Sequence, residues 1–401
     1  MTQAQTTRVI DLPSGTLTVT TTNQTTDEFG LDDLCDFAAR NNPKRGFLVV
    51  SKVLGRHIPS DPLVMDRVHK ALARQLADAD LPGPILFIGM AETAVCLGHA
   101  VHHAYRQMTL SQAGTLYIHS TRQMIVDTDA RAGIMAEFKE PHSHAASHVV
   151  YDPERAIDRE LLLHARTLVL IDDETSTGTT FINAARAMAR LMPRLENVTT
   201  CVITDWSDAA AWRRELEWAG TSISMLQGKL DWQPKAGFVS SQPPVTNTGA
   251  LGTVWNRADY GRRGTSSDHH RLPFGRSYDH MAAMVSHDDP ADRYLVLGTG
   301  EFTYPAFLLA LAMRRQNRQV MMQATTRSPV HVGGAIGCAL TFEDNYGAEV
   351  PNFLYNAWPE AGQKVIICCE TSADRIDPRL VSALDARVIS FGQINAWEAT
   401  A

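Results

Sequence analysis

The chain has 401 residues, 44% of them hydrophobic, and a formal net charge of −7. That length suggests two domains with sizeable cores, and the acidic balance argues against general nucleic-acid binding. No apolar run reaches the ~18 residues needed to cross a bilayer. "MTQAQTTRVIDLPSG" lacks the basic-then-apolar order of a signal peptide. The six cysteines are scattered without a CxxC pair, so neither a disulfide framework nor a zinc knuckle is signalled. A soluble, cytoplasmic protein is expected.

In chain order, "TLTVTTT" alternates and suits an exposed hairpin or edge strand. "LDDLCDFAARNN" has helical spacing, closed by Pro43. "GFLVV" reads as a strand running into a polar loop, "SKVLGRHIPSDP". "PLVMDRVHKALARQLADA" is an amphipathic helix, and "PILFIG" a buried strand followed by "MAETAVCLG" and a helix through Tyr105. "GTLYIHSTR" is a further strand, and Gln123 to Ser147 shows little regular pattern. "LVLIDDETSTGTTF" then gives an aliphatic strand, an acidic pair, a hydroxyl-rich turn and a helix, before the strand "VTTCVITDW". Strands alternating with helices imply an α/β fold with a mainly parallel sheet. Breaker composition places a linker at 235–252, between a domain at 1–234 and another at 253–401. The second part opens on the basic "GRRGT" and resumes the α/β rhythm with "RYLVLGTGEF", "QVMMQATTRSPV" and "KVIICCETSADRIDPRLVSALDA". "LGTGEF" is half a dinucleotide fingerprint, with Thr303 at the place of the third Gly, and is weak alone.

The chemistry concentrates at Asp172–Thr180. Ligands collect above the carboxyl ends of parallel strands, and an amide-rich turn entering a helix is a phosphate site. The hydroxyls of Thr175, Ser176, Thr177, Thr179 and Thr180, around Gly178, add donors. Asp172 and Asp173 would repel that phosphate, so they face sugar hydroxyls or a divalent metal. The Walker pattern is absent, which disfavours an ordinary ATP loop.

This stretch resembles the PRPP-binding motif of type I phosphoribosyltransferases. The resemblance implies that Asp172 and Asp173 hold the ribose hydroxyls with Mg²⁺, and that Thr175–Thr180 cradle the 5-phosphate. "ILFIGMAETAVCLGHA" resembles the strand and pyrophosphate loop, which implies that the amides of Ala91, Glu92, Thr93 and Ala94 face the leaving group. A carboxylate is out of place there, so Glu92 points away, binds metal, or caps the helix. "FKEPHSHA" resembles the loop of orotate phosphoribosyltransferases, which implies a catalytic role for Lys139, His142 and His144. "RGFLVVSKVLGRHIP" resembles their N-terminal hood, with Lys52 and Arg56 as phosphate or nucleobase contacts. The purine branch's loop acid is replaced by Ser176, which favours an acceptor whose nitrogen is already acidic or a base supplied elsewhere.

With "TTRSPV", the whole chain resembles a bacterial family in which such a domain precedes a TRSP domain. The fold expected is therefore α/β: a type I phosphoribosyltransferase parallel sheet with an N-terminal hood, plus a second α/β (TRSP) domain. The family is associated with tellurite-resistance and stress-response clusters, which implies synthesis of a nucleoside-like metabolite alongside partner enzymes. The function expected is transfer of phosphoribose from PRPP to a nucleobase-like acceptor, with release of pyrophosphate, by a homodimer. A non-catalytic PRPP-binding regulator and the reverse pyrophosphorolysis of a nucleotide are the alternatives. In the second domain, Arg262, Arg263, Arg327 and Ser328 are expected to form an anion site of their own. His99, His102 and His103 are read as helix surface, and His142, His144 and His148 as phosphate loop, in preference to a zinc or tellurium-type site, since no acidic or cysteine partner sits at ligand spacing.

Overall fold

The computed structural model describes residues 6–40, 42, 45–109, 114–126, 133–139, 147–238, 252–254, 260–265, 277–286, 292–357 and 362–392. The antiparallel strands β1 (Thr6–Leu12) and β2 (Gly15–Gln24) come first, then α1 (Leu31–Leu34) and a second antiparallel pair, β3 (Cys35–Ala39) and β4 (Phe47–Ser51). Next are α2 (Pro62–Asp78), β5 (Ile85–Gly89), α3 (Val95–Thr109), β6 (Thr115–His119) and β7 (Gln123–Ile125). The antiparallel β8 (Ile134–Lys139) and β9 (Ser147–Tyr151) lead to α4 (Ala156–His164), β10 (Thr167–Thr175) and α5 (Thr179–Ala189). β11 (Asn197–Asp205), α6 (Ala209–Arg213), β12 (Ser222–Pro234) and β13 (Gly252–Val254) come after them. The remainder is α7 (Tyr278–Val285), β14 (Arg293–Gly298), α8 (Tyr304–Arg315), β15 (Gln319–Ala324), β16 (Ala339–Glu343), β17 (Pro351–Tyr355), β18 (Gln363–Cys369), α9 (Pro378–Leu384) and β19 (Arg387–Ser390).

Each aliphatic run read as a buried strand is one. Leu168–Ile171 and Leu86–Ile88 have no exposed surface and pair in parallel at the centre of a seven-stranded sheet. Its order is β1-β2-β12-β11-β10-β5-β6, with β1 and β2 antiparallel at one edge. Among the parallel strands the order reverses between β5 and β10, and a ligand crevice opens at such a switch point. A second sheet, β15-β14-β18-β19, is wholly parallel, and its order reverses between β14 and β18.

The two halves share packing. α2 starts on an Asp61 cap, with Asp61 accepting from the Leu63 amide at 2.8 Å, and Pro62 in its first turn. Met65 of α2 and Cys96 and Ala100 of α3 pack into the apolar cluster built around α8. Ser60 pairs with Met322 of β15, and Thr265 with Tyr117 of β6, so segments of each half cross to the other. No described helix is long and apolar enough to cross a membrane.

Four local expectations change. "LDDLCDFAARNN" is helical only over Leu31–Leu34; Cys35–Ala39 is a strand, because pairing with β4 buries Phe37, Ala38 and Ala39. Tertiary burial overrides a helical spacing in so short a segment. The "polar loop" after β4 is an inner segment in which Val53, Leu54, Arg56 and His57 are buried. The patternless 123–147 stretch contributes β7 and β8. His99 and His102 are buried, not on a helix surface, because α3 is covered by the first sheet on one side and α8 on the other. His99 stacks 3.9 Å from Tyr304 and 4.6 Å from Tyr117.

Candidate active site

The crevice at the switch point of the first sheet is the site. On one side, β10 carries Asp172 and Asp173 past the buried run and ends at Thr175. The Asp173 amide donates to Asp172 Oδ1 at 2.9 Å, and Thr93 Oγ1, from across the crevice, donates to Asp173 Oδ1 at 2.9 Å. The turn continues to Gly178, in the left-handed region at φ +73°, where a Cβ would sit 2.3 Å from the Trp212 ring. Only glycine satisfies both demands. As the residue before α5, Gly178 has no side chain to cap the helix; the Thr179 amide donates to Thr177 Oγ1 at 3.4 Å, and the amides that follow it in the first turn can take a ligand.

On the other side, Met90–Ala94 leaves β5. The Ala91 amide donates to Ser120 Oγ at 2.9 Å, and that hydroxyl also meets His148 Nδ1 at 2.9 Å. The Ala91–Glu92 peptide is cis. The hood forms a third wall: Arg40, Arg45, Leu48, Val49 and His57 line the pocket. Arg45 donates to Glu174 at 2.6 Å and to Ser176 Oγ at 3.4 Å, so it ties the β3–β4 segment to the turn before α5. Burial pushes the Glu174 carboxyl up from its ordinary value, and Arg45 opposes that rise.

Residues 34–229 match the model of a family described as "Phosphoribosyl transferase", and residues 259–384 match the "TRSP domain C terminus to PRTase_2". The chain belongs to this family of phosphoribosyltransferases with a TRSP domain behind them. It is a pentosyltransferase. No curated protein matches it. Solved structures similar in fold include adenine phosphoribosyltransferase from Rhodothermus marinus, at 14% identity and TM-score 0.31 over 49% of this chain and 94% of that one. The Trypanosoma brucei adenine enzyme, in complex with AMP, pyrophosphate and ribose-5-phosphate, gives 11%, 0.33, 54% and 86%. The orotate enzyme of Mycobacterium tuberculosis, in complex with Fe(III) dicitrate, gives 13%, 0.27, 48% and 89%. Likenesses at such TM-scores carry no argument about the chemistry of this chain.

The TRSP domain reaches the phosphoribosyltransferase pocket. Thr326, Arg327 and Ser328 line it together with Asp172, Asp173 and Ala91–Thr93. Glu92 explains how. Its carboxylate accepts from Thr326 Oγ1 at 3.1 Å and the Arg327 amide at 3.2 Å, and all three residues line the crevice.

Two expected roles are corrected by burial. Arg56 is 2% exposed and donates to the carbonyls of Gly300, Thr325 and Glu92 at 2.8, 2.6 and 2.6 Å, so it joins the domains rather than meeting substrate. Arg262 is 1% exposed, donating to both oxygens of Glu370 at 2.7 and 2.8 Å and to Glu301 at 3.2 Å. Two carboxylates already surround that guanidinium, which leaves no face for an anion. Glu301 and Glu370 stand at the switch point of the second sheet, so Arg262 fills the crevice to which "LGTGEF" belongs. Arg263 pairs with Glu154 at 3.6 Å, and Arg327 with Ser328 lies in the first crevice. The arginines therefore do not gather into a separate anion site.

Lys52 is exposed and donates to the Asp32 carbonyl at 2.5 Å, outside the pocket lining. Lys139 ends β8 with an exposed side chain; its carbonyl accepts from Asn183 of α5 at 2.9 Å, which sets the β8–β9 pair beside the helix of the phosphate turn. His142 and His144 lie outside the described residues. His148 is buried and bonded to Ser120, not part of a phosphate loop. Sequence reasoning missed Arg40, Arg45, His57, Arg122, Glu174 and Thr326. Arg122 closely follows β6, and the strand-end rule alone would have flagged it.

Proposed function

We propose that the crevice binds PRPP, Asp172 and Asp173 taking the ribose hydroxyls and Thr175, Ser176, Thr177, Gly178, Thr179 and Thr180 the 5-phosphate. The observation that carries this is the carboxylate pair and the uncapped start of α5 on one lip of a switch-point crevice. On the other lip the amides of Glu92 and Thr93 face the pyrophosphate; those of Ala91 and Ala94, expected there too, are given to Ser120 Oγ and the Met90 carbonyl, each at 2.9 Å. A flat, nucleobase-like acceptor fits between Leu48 and Val49 of the hood and the ribose. Transfer breaks the C1–O bond, whose electron pair stays on pyrophosphate, and forms a C1–N bond. An acceptor whose nitrogen is already ionised needs no base from the loop. Positioning and charge stabilisation then supply most of the rate.

Mg²⁺ fits this site. Among the described residues no group of three or more His, Cys, Asp or Glu is placed to hold a metal. Mg²⁺ typically takes only one or two protein carboxylates and completes its shell with phosphate and water, so Asp172 and Asp173 suffice. When bound it would offset charge on the pyrophosphate oxygens. Lys139, His142 and His144 would approach as that charge develops. The family resemblance extends the reading to a homodimer making a nucleoside-like metabolite in a tellurite or stress response, with partner enzymes. The reverse reaction, pyrophosphorolysis, uses the same groups. A non-catalytic regulator would bind PRPP yet turn nothing over.

The test is the double variant Asp172→Asn/Asp173→Asn, measured by isothermal titration with PRPP and Mg²⁺. Loss of binding in a folded protein is expected. Unchanged affinity overturns the assignment.

A further inference from the structure

We propose that Arg327 of the TRSP domain is a catalytic residue of the transferase, meeting the departing pyrophosphate, and that Glu92 is the residue that positions it. This rests on the reading of the crevice as a PRPP site and adds one group to it from the second domain.

Four observations converge. Arg327 lines the crevice beside Ala91, Thr93 and Arg122, the lip that faces pyrophosphate. Its backbone is held there by the Glu92 carboxylate at 3.2 Å, and the preceding Thr326 by the same oxygen at 3.1 Å. Glu92 belongs to the pyrophosphate loop itself, so the loop and the arginine are set against each other by one side chain. One end of the guanidinium is anchored in the wall behind the crevice: Arg327 Nη2 is buried, and a Cβ on Gly252 would lie 3.3 Å from it. Arg122 lines the same crevice, so both arginines border it. The turn is also rigid. Thr326 exchanges backbone hydrogen bonds with Phe353 at 3.0 and 2.7 Å, and Tyr355 Oη donates to the Ser328 carbonyl at 2.8 Å. A preorganised cation costs little reorganisation as charge develops.

A carboxylate in a pyrophosphate loop is otherwise adverse. Here it is bonded to Thr326 and the Arg327 amide and lies 3.8 Å from buried Arg56. Its repulsion is offset, and a cation from the second domain is set beside it in the crevice. As the C1–O bond of PRPP breaks, the electron pair stays on the pyrophosphate oxygen, where Arg327 meets it. No proton transfer to or from Arg327 is required, since a guanidinium stays charged throughout.

The experiment uses the full chain with Mg²⁺, and titrates pyrophosphate and ribose 5-phosphate separately by calorimetry. Arg327→Ala is expected to weaken pyrophosphate binding by ~10–100-fold, the loss typical of a charge-assisted contact, and leave ribose 5-phosphate unchanged. Arg327→Lys should recover part of it. Glu92→Ala should weaken pyrophosphate and spare ribose 5-phosphate, and Glu92→Gln, which still accepts from Thr326 and Arg327, should recover most. Wild-type pyrophosphate affinity in Arg327→Ala overturns the inference and leaves the PRPP reading standing. Parallel loss of both ligands overturns it too, making Arg327 a structural prop. If the wild-type protein binds neither ribose 5-phosphate nor PRPP, the PRPP reading itself fails and the inference with it.

Discussion

Arg262→Met should unfold the second domain more easily than any other single change of similar size. Arg262 and the side chains of Glu301 and Glu370 are each about 1% exposed or less. Glu301 also accepts from the Arg122 amide at 2.6 Å, and Glu370 from Tyr346 Oη at 2.8 Å, so the two carboxylates are fixed in place without the arginine. In the native protein burial pushes the Glu301 carboxyl up, but Arg262, His119, Thr121 and the Arg122 amide together hold it below its ordinary value. Removing the cation leaves two buried carboxylates facing each other. Breaking such a pair costs about 3–5 kcal/mol, a large part of a typical total of about 5–15 kcal/mol. Burial also sets the sign with pH. Without Arg262 the burial that raises the Glu301 carboxyl loses its largest opponent, so that carboxyl should titrate above its unfolded value of about 4.3 and the deficit should grow as pH rises through that interval. Urea denaturation monitored by circular dichroism should show a lower midpoint for Arg262→Met, with a larger deficit at pH 8 than at pH 5. Adding Glu301→Gln and Glu370→Gln should restore most of the midpoint, because the new amide oxygens can accept from the Arg122 amide and Tyr346 Oη, and the amide nitrogen at position 301 can donate to Thr121 Oγ1, whose hydroxyl reverses its role. A midpoint equal to wild type, or a deficit independent of pH, would refute the charge argument.

Buried histidines and the phosphate turn give two more expected outcomes. Burial lowers His69 and His119 to about 4 and His57 to about 3, from an ordinary 6.5. Because the folded values lie below the unfolded ones, the protein keeps its full stability above pH 6.5 and loses it as pH falls toward 4. His69→Leu, which keeps the apolar packing on Phe307, should flatten that loss in urea titrations at pH 7 and pH 5; an unchanged slope would count against His69 as a contributor. Gly178→Ala forces a side chain into a left-handed position and against the Trp212 ring, so it should cost more than about 1 kcal/mol and weaken ribose 5-phosphate binding, read by thermal melt and calorimetry. Ser176→Ala, which meets neither obstacle and loses only the 3.4 Å contact with Arg45, should lower the melt less; equal melts for the two variants would show that the turn tolerates a Cβ at Gly178.

What the sequence determined by itself is what local chemistry specifies. Leu168–Ile171 could only be a doubly buried strand, and the acids after it had to meet a ligand or a partner. Gly178 among hydroxyls before "FINAARAMARLM" marks a turn into a helix, and the alternation of such units implied a parallel sheet in each half. Partners distant in the chain were not legible. An arginine suits a carboxylate and a phosphate equally well, so Arg56, Arg262 and Arg327 looked alike as ligand contacts. Folding separated them: Arg56 lies on carbonyls of residues 300 and 325, Arg262 between Glu301 and Glu370, and Arg327 in the crevice of the other domain. Glu92 left three readings open, and it bonds instead to Thr326 and Arg327 of the second domain. Cys35–Ala39 has helical spacing yet becomes a strand because β4 and the residues that bury it exist only in the folded chain. Side-chain type and spacing set what a residue can bond to; only the tertiary structure decides what is within reach.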